Sequence, residues 1–175
     1  MVASRKAGPK MKTRTSAAPP EGPITYFAYG ANLDGEGMRR RCPGSRPLRL
    51  ARLMGHALRI ALPQEFPPGP GWATTVPEKG AFVPGALYLL HGDDLPALDG
   101  YEDYPDLYGR EEVEVESDQG RERAMIYRMA GPLRDAKPSA EYAQILRRGY
   151  RENGLPMAAL EAALGAAMGQ ENQAG

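Results

Sequence analysis

The order of apolar segments in this chain predicts an α+β domain, with a mixed, mostly antiparallel sheet curled into a small barrel and with flanking and C-terminal helices. Three observations lead there. Short β-branched and aromatic runs begin at Ile24, a hairpin signal joins two of the later ones, and helical periodicity is concentrated from Tyr142 onward. With 175 residues, 42% of them apolar, the chain is long enough for one domain with its own core.

Ile24 to Tyr29 reads as a strand that enters a turn at Gly30. Asn32 and Asp34 then offer caps for a helix that Pro43-Gly44 must end. Leu48 to Leu62 reads as extended, and Pro63 to Gly71, with four prolines, as a loop bordering a pocket. Phe82-Val83 with Ala86 to Leu90 suggests two further strands. Alternating Val113 and Val115, followed by Ala124 to Tyr127, gives another pair, joined through Ser117-Asp118-Gln119-Gly120 as a hairpin. Tyr142, Ile145, Leu146 and Tyr150 share one helical face, Asn153-Gly154 stops that helix, and Met157 to Met168 supplies another.

Charge and composition narrow the function. Lys+Arg and Asp+Glu each number 22 and the pI is near 6.8, so no basic field exists to hold nucleic acid or an anionic membrane. No apolar run approaches the ~18 residues of a membrane span. Cys42 stands alone, which excludes an internal disulfide and a multi-cysteine zinc site, and only His56 and His91 offer ring nitrogens. A reducing, cytoplasmic setting fits. Residues 1–23 carry Arg5, Lys6, Lys10, Lys12 and Arg14 against Glu21, and read as a disordered basic tail, with Met11 a candidate start. Pro9, Pro19 and Pro20 spoil a transit helix there. The domain is expected over 24–168, with a flexible end at 169–175.

Familiar catalytic spacings are missing: no phosphate loop, no Gly-x-Ser-x-Gly elbow, no His-Glu-x-x-His. Asp93 or Asp94, ahead of Leu95-Pro96, is what a helix start needs, so His91 to Asp94 reads as a cap rather than a metal cluster. Cys42 reads as buried packing. Two segments remain. In Tyr29-Gly30-Ala31-Asn32-Leu33, a strand meets a helix start whose amides form a cradle for a carboxylate or an oxyanion, although any strand followed by a helix gives such an end. In Leu98 to Tyr108, Glu102 follows a short helix among Tyr101, Tyr104 and Tyr108, where apolar rings would raise its pKa toward proton-shuttling values; a solvated acidic turn is the alternative.

Together and in this order, these segments resemble the γ-glutamylcyclotransferase and AIG2-like family. Tyr26-Phe27-Ala28-Tyr29-Gly30-Ala31-Asn32-Leu33 is similar to the family's Tyr-Gly-Ser-Asn-Leu loop after the first strand, with Ala31 in place of serine. Leu98-Asp99-Gly100-Tyr101-Glu102 followed by Tyr108 resembles its Leu-Asp-x-x-Glu segment and the tyrosine that opens the next strand. Gly71-Trp72-Ala73-Thr74 and Val83-Pro84-Gly85-Ala86-Leu87-Tyr88 resemble two further family strands, and Tyr142 to Pro156 the C-terminal helices.

The resemblance implies a cyclising enzyme that acts on a small-molecule γ-glutamyl substrate. The substrate's own α-amine attacks its γ-carbonyl and releases 5-oxoproline, with no metal, cofactor or enzyme nucleophile. The family's catalytic glutamate maps onto Glu102, with Asp103 the rival one place off. Tyr26 to Leu33 and Tyr108 are the implied substrate-binding residues. A γ-glutamylamine cyclotransferase, a biosynthetic deprotecting enzyme, a hydrolase and a non-catalytic binding module of the same fold stay open, as does a homodimer. Leaving-group specificity would lie in Pro63 to Gly71 and around Trp72.

Overall fold

The structure is a computed structural model that describes residues 22–169. The expectations for the basic tail and for the chain beyond Gly169 lie outside those residues. Six strands form one sheet: β1 (Ile24–Ala28), β2 (Arg46–Pro63), β3 (Trp72–Leu90), β4 (Gly109–Ser117), β5 (Gly120–Arg128) and β6 (Leu133–Asp135). The order β3-β1-β5-β4-β2 closes on itself because β2 also pairs with β3, so the sheet is a five-stranded barrel with β6 on its flank. Only β1 and β5 run parallel; every other pairing is antiparallel. Closure leaves the five barrel strands no open edge to protect.

Where two strands were expected around Phe82 to Leu90, a single strand of 19 residues runs from Trp72 to Leu90. It pairs with β2 from Ala61 opposite Trp72 to Arg46 opposite Leu89. Pro77 and Gly80 suggest a break because the ladder does slip there: His56 faces Pro77, yet Met54 faces Phe82, so Glu78 to Ala81 swell out against Gly55 alone. Such an irregularity admits a proline without ending the strand. The hairpin at Ser117 to Gly120 forms as expected, with Ser117 directly opposite Gly120.

Four helices complete the domain. In α1 (Gly35–Arg41), Asp34 is the cap and accepts from the Gly37 amide at 3.3 Å. In α2 (Leu95–Glu102), Pro96 occupies the first turn and Glu102 is the last residue, not one beyond the helix. In α3 (Ala140–Glu152), the Ser139 hydroxyl accepts from the Tyr142 amide at 3.1 Å. The last, α4 (Met157–Gly169), packs on β2.

Phe27, Ile60, Leu87, Ile126 and Leu146 are almost wholly buried in the core. Each such side chain contributes about 1.5–3 kcal/mol on removal from water. Directly after β1, a 3-10 turn over Ala31–Leu33 lies under α3. The contact needs a glycine: a Cβ on Gly149 would sit 2.7 Å from Leu33 Cβ and 2.9 Å from the Asp34 amide nitrogen.

Candidate active site

The turn after β1 and the end of α2 face each other across a small cavity. Gly30, Ala31 and Asn32 line one part of it, Glu102 and Tyr101 another. Tyr26, Tyr29, Tyr108, Tyr127, Tyr142 and Ala73 complete the lining. Of the described residues around it, Glu102 is the one carboxylate.

Local geometry explains the turn. Leu33 and Asp34 donate their amides to the carbonyls of Gly30 and Ala31 at 3.0 and 3.1 Å. The amides ahead of them are the first of the turn and have no carbonyl within it to reach. Gly30 allows the chain to pass close to β3, since a Cβ there would lie 3.2 Å from Ala73 Cβ.

Asn32 is 2% exposed and Glu102 8% exposed, so their contact forms away from bulk water. The Asn32 amide nitrogen donates to Glu102 Oε1 at 2.8 Å and to the Tyr26 hydroxyl at 2.9 Å. A polar pair this deep is stabilising only because each partner is hydrogen-bonded. Asp103, the rival carboxylate, does not line the cavity. It closes α2 in the left-handed region at φ 54°.

The tyrosines form a neutral lining. Burial raises Tyr26, Tyr29, Tyr108 and Tyr142 well above the usual tyrosine range, and the negative charge of Glu102 adds to the effect in each. They therefore act as hydrogen-bonding hydroxyls and not as bases. Several are already committed: Tyr29 donates to the Tyr127 carbonyl at 2.5 Å, Tyr108 to the Ala73 carbonyl at 2.6 Å, and Tyr127 to Asp99 Oδ1 at 2.6 Å. Cys42 lies in the core with its thiol pushed up to about 11, chiefly by burial.

Of the residues implied from sequence, Tyr26, Tyr29, Gly30, Ala31, Asn32, Tyr108 and Glu102 come together around this cavity. Phe27, Ala28 and Leu33 do not line it and are 0% exposed. Phe27 faces away from Tyr26 by the two-residue alternation of a strand, Ala28 pairs with Ala86, and Leu33 is pinned under Gly149. The proline-rich loop does not reach the lining either, although Trp72 at its end packs edge-on against Tyr142 with ring centroids 4.8 Å apart.

Tyr142, Tyr127 and Ala73 line the cavity without having been singled out from the sequence as site residues. Tyr142 counts as one more apolar residue on a helical face, yet its hydroxyl accepts from the Ala73 amide at 3.1 Å inside the cavity. A tyrosine on such a face, with a polar tip that needs a partner, was the available signal.

Comparison with known proteins places this arrangement. Residues 26–150 match the family model described as gamma-glutamyl cyclotransferase, AIG2-like. The chain is 31% identical over 143 residues to the gamma-glutamylcyclotransferase of Homo sapiens, covering 79% of this chain and 76% of that protein. It is 33% identical over 138 residues to the one from Bos taurus, covering 75% and 72%. A solved structure named gamma-glutamyl cyclotransferase superposes with a TM-score of 0.72 at 29% identity, covering 81% of this chain and 86% of the other. YkqA from Bacillus subtilis, at 23% identity and a TM-score of 0.69, shares the fold. The match runs from the first tyrosine of the turn motif to the last buried tyrosine of α3, and the chain belongs to the gamma-glutamyl cyclotransferase, AIG2-like family.

Proposed function

We propose that this γ-glutamylcyclotransferase converts a γ-glutamyl amino acid to 5-oxoproline and the free amino acid by intramolecular aminolysis, with Glu102 as the proton carrier. The observation that carries the reading is the position of Glu102: the one carboxylate among the described residues of the cavity, bonded at 2.8 Å to Asn32 in the turn that forms the opposite wall.

The substrate brings both reactants. Its α-amine attacks its own γ-carbonyl, a C–N bond forms to close a five-membered lactam, and the bond to the departing amine breaks. Holding the glutamyl chain bent converts the step into one with effective molarities of about 10⁵ M or more. The amides of Gly30, Ala31 and Asn32 hold the glutamyl carboxylate or the carbonyl oxygen, and each correctly aimed oxyanion donor contributes about 2.7–4 kcal/mol. Such a role uses backbone atoms, which supports Ala31 standing where the family has serine.

Protons must move as well. The α-ammonium has to lose one before it attacks, and the leaving amine has to gain one. Glu102 takes the ammonium proton and delivers it to the leaving nitrogen. The second proton, shed by the ring nitrogen once the C–N bond has formed, also passes to the departing amine, which leaves as an ammonium, so the carboxylate is regenerated each cycle. Tyr108 faces the γ-glutamyl part of the substrate. Its hydroxyl hydrogen is already given to Ala73, so toward the substrate it accepts. The lone, buried Cys42 supports a reducing, cytoplasmic setting.

Product analysis tests the reading. Incubation with γ-glutamyl-alanine is expected to give 5-oxoproline and alanine in equal amounts, with no accumulation of glutamate. Glutamate as the product makes the enzyme a hydrolase, and binding without turnover of any γ-glutamyl amino acid or amine makes it a binding module.

A further inference from the structure

Glu102 is held by a chain of contacts that begins outside the cavity. Arg41, the last residue of α1, does not line the cavity. Its Nε and Nη2 both donate to Asn32 Oδ1, at 3.1 and 2.6 Å. Its guanidinium carbon lies 3.8 Å from the centroid of the Tyr101 ring, and that ring does line the cavity. A guanidinium has donors and no acceptor, so the oxygen of the Asn32 amide has to face it. The nitrogen end is thereby turned toward Glu102 Oε1 and the Tyr26 hydroxyl. The opposite orientation would place the amide oxygen against the carboxylate, acceptor against acceptor.

We propose that Arg41 is a positioning residue for the reaction: by fixing which way the Asn32 amide points, it holds the Glu102 carboxyl group in reach of a substrate bound at Gly30 to Asn32. The inference rests on Glu102 as the proton carrier. Two N–H bonds to one oxygen and a stacked ring remove the freedom of a long side chain, which a lysine ammonium cannot reproduce. The cation also polarises the amide it touches and strengthens the donation from its far end. The device is anchored at both ends of a short helix, since Asp34 caps α1 beside the turn and Arg41 terminates it.

Steady-state kinetics on γ-glutamyl-alanine test this with Arg41→Met, which keeps an unbranched stem and removes the guanidinium. A misplaced carboxylate is expected to lower kcat by about 10²-fold, while KM stays close to that of the parent enzyme. In an Asn32→Ala background, Arg41→Met is expected to cause no further loss, because the two residues act in series. Arg41→Lys, which retains the charge but not the fork, is expected to give a kcat between the two, and serves as the test if the Met variant does not fold. A rise in KM with kcat intact, a full additional loss in the Asn32→Ala background, or parental kcat in Arg41→Lys would overturn the inference. Glu102→Gln is run alongside. If it still turns over, the reading beneath the inference fails; if it is dead while Arg41→Met is fully active, the inference alone fails.

Discussion

Asn32 and Glu102, 70 residues apart in sequence, meet through a 2.8 Å hydrogen bond in the interior of the domain. One belongs to the turn after the first strand of the barrel, and the other ends a helix inserted between β3 and β4. Their contact joins the two segments that line facing sides of the cavity.

Glu102→Gln preserves shape and can still accept from Asn32, but it cannot carry a proton. Turnover is expected to fall by about 10²-fold or more, with the far-ultraviolet spectrum and the melting temperature close to the parent. Asp103→Asn is the matched control, because asparagine tolerates the left-handed backbone at φ 54°. Its kcat should match the parent; a dead Asp103→Asn beside an active Glu102→Gln would reassign the acid.

Alkaline behaviour follows from the buried tyrosines. Tyr26, Tyr29, Tyr108 and Tyr142 are raised well above the ordinary value of 10.0. In the unfolded chain these hydroxyls ionise near that value, whereas the folded chain keeps its protons. Above about pH 10 the unfolded state therefore binds fewer protons, and stability falls as pH rises. Spectrophotometric titration should show these tyrosines ionising together with the loss of near-ultraviolet circular dichroism. A smooth tyrosinate signal from an intact fold would contradict the burial argument.

Acid stability depends on Asp34. Burial opposes its charge, but the hydrogen bonds and charge of Arg148 outweigh it and hold the carboxyl below its ordinary 3.8. The contacts lie at 3.0 and 2.7 Å and tie the start of α1 to α3. A lowered folded pKa gives stability that is present above 3.8 and is lost as pH falls through the folded value. Arg148→Met should lower the melting temperature at pH 7 and flatten its decline below about pH 4. Asp34→Ala should cost about 1 kcal/mol more, for the lost helix cap.

Gly149→Ala sets two effects against each other. Alanine inside a helix gains about 1 kcal/mol over glycine. The new methyl would meet Leu33 Cβ at 2.7 Å and the Asp34 amide at 2.9 Å, and overpacking of that kind costs about 1–3 kcal/mol. Backbone cannot yield as a flexible side chain does, so the steric effect is expected to win. Urea denaturation should show net destabilisation together with a higher KM, because the turn that α3 presses upon also lines the cavity. A stabilised variant would mean that α3 can shift without cost.

Much of this protein was readable before any coordinates. The alternation of Val113 and Val115 against Ala124 to Tyr127, with a tight turn between them, fixes one antiparallel pair because side chains alternate across a strand. Asp34, one of the two cap candidates in the sequence, announces the helix it caps, whereas Ser139, the cap of α3, emerges only from the fold. Glu102 was singled out by resemblance of its segment to a family, since an acidic stretch with four carboxylates from Asp99 to Asp106 does not by its own chemistry say which one is buried.

The tertiary structure alone decided the rest. Closure of the barrel depends on β1 lying between β3 and β5, parallel to β5, and on β2 meeting β4, pairings between segments too distant for any local periodicity to encode. The continuity of β3 was hidden for the opposite reason, because Pro77 and Gly80 carry the local signs of a break while the partner strand absorbs the slip. Phe27, Ala28 and Leu33 share a motif with Gly30 and Asn32 yet face the core, a distinction set by which side of the strand and turn the barrel and α3 cover. Composition and spacing name the groups that can carry charge, but the direction in which an amide points depends on neighbours brought close only by folding. So it is with Arg41, which sequence shows as one of three consecutive arginines at a helix end and the fold places against the oxygen of Asn32.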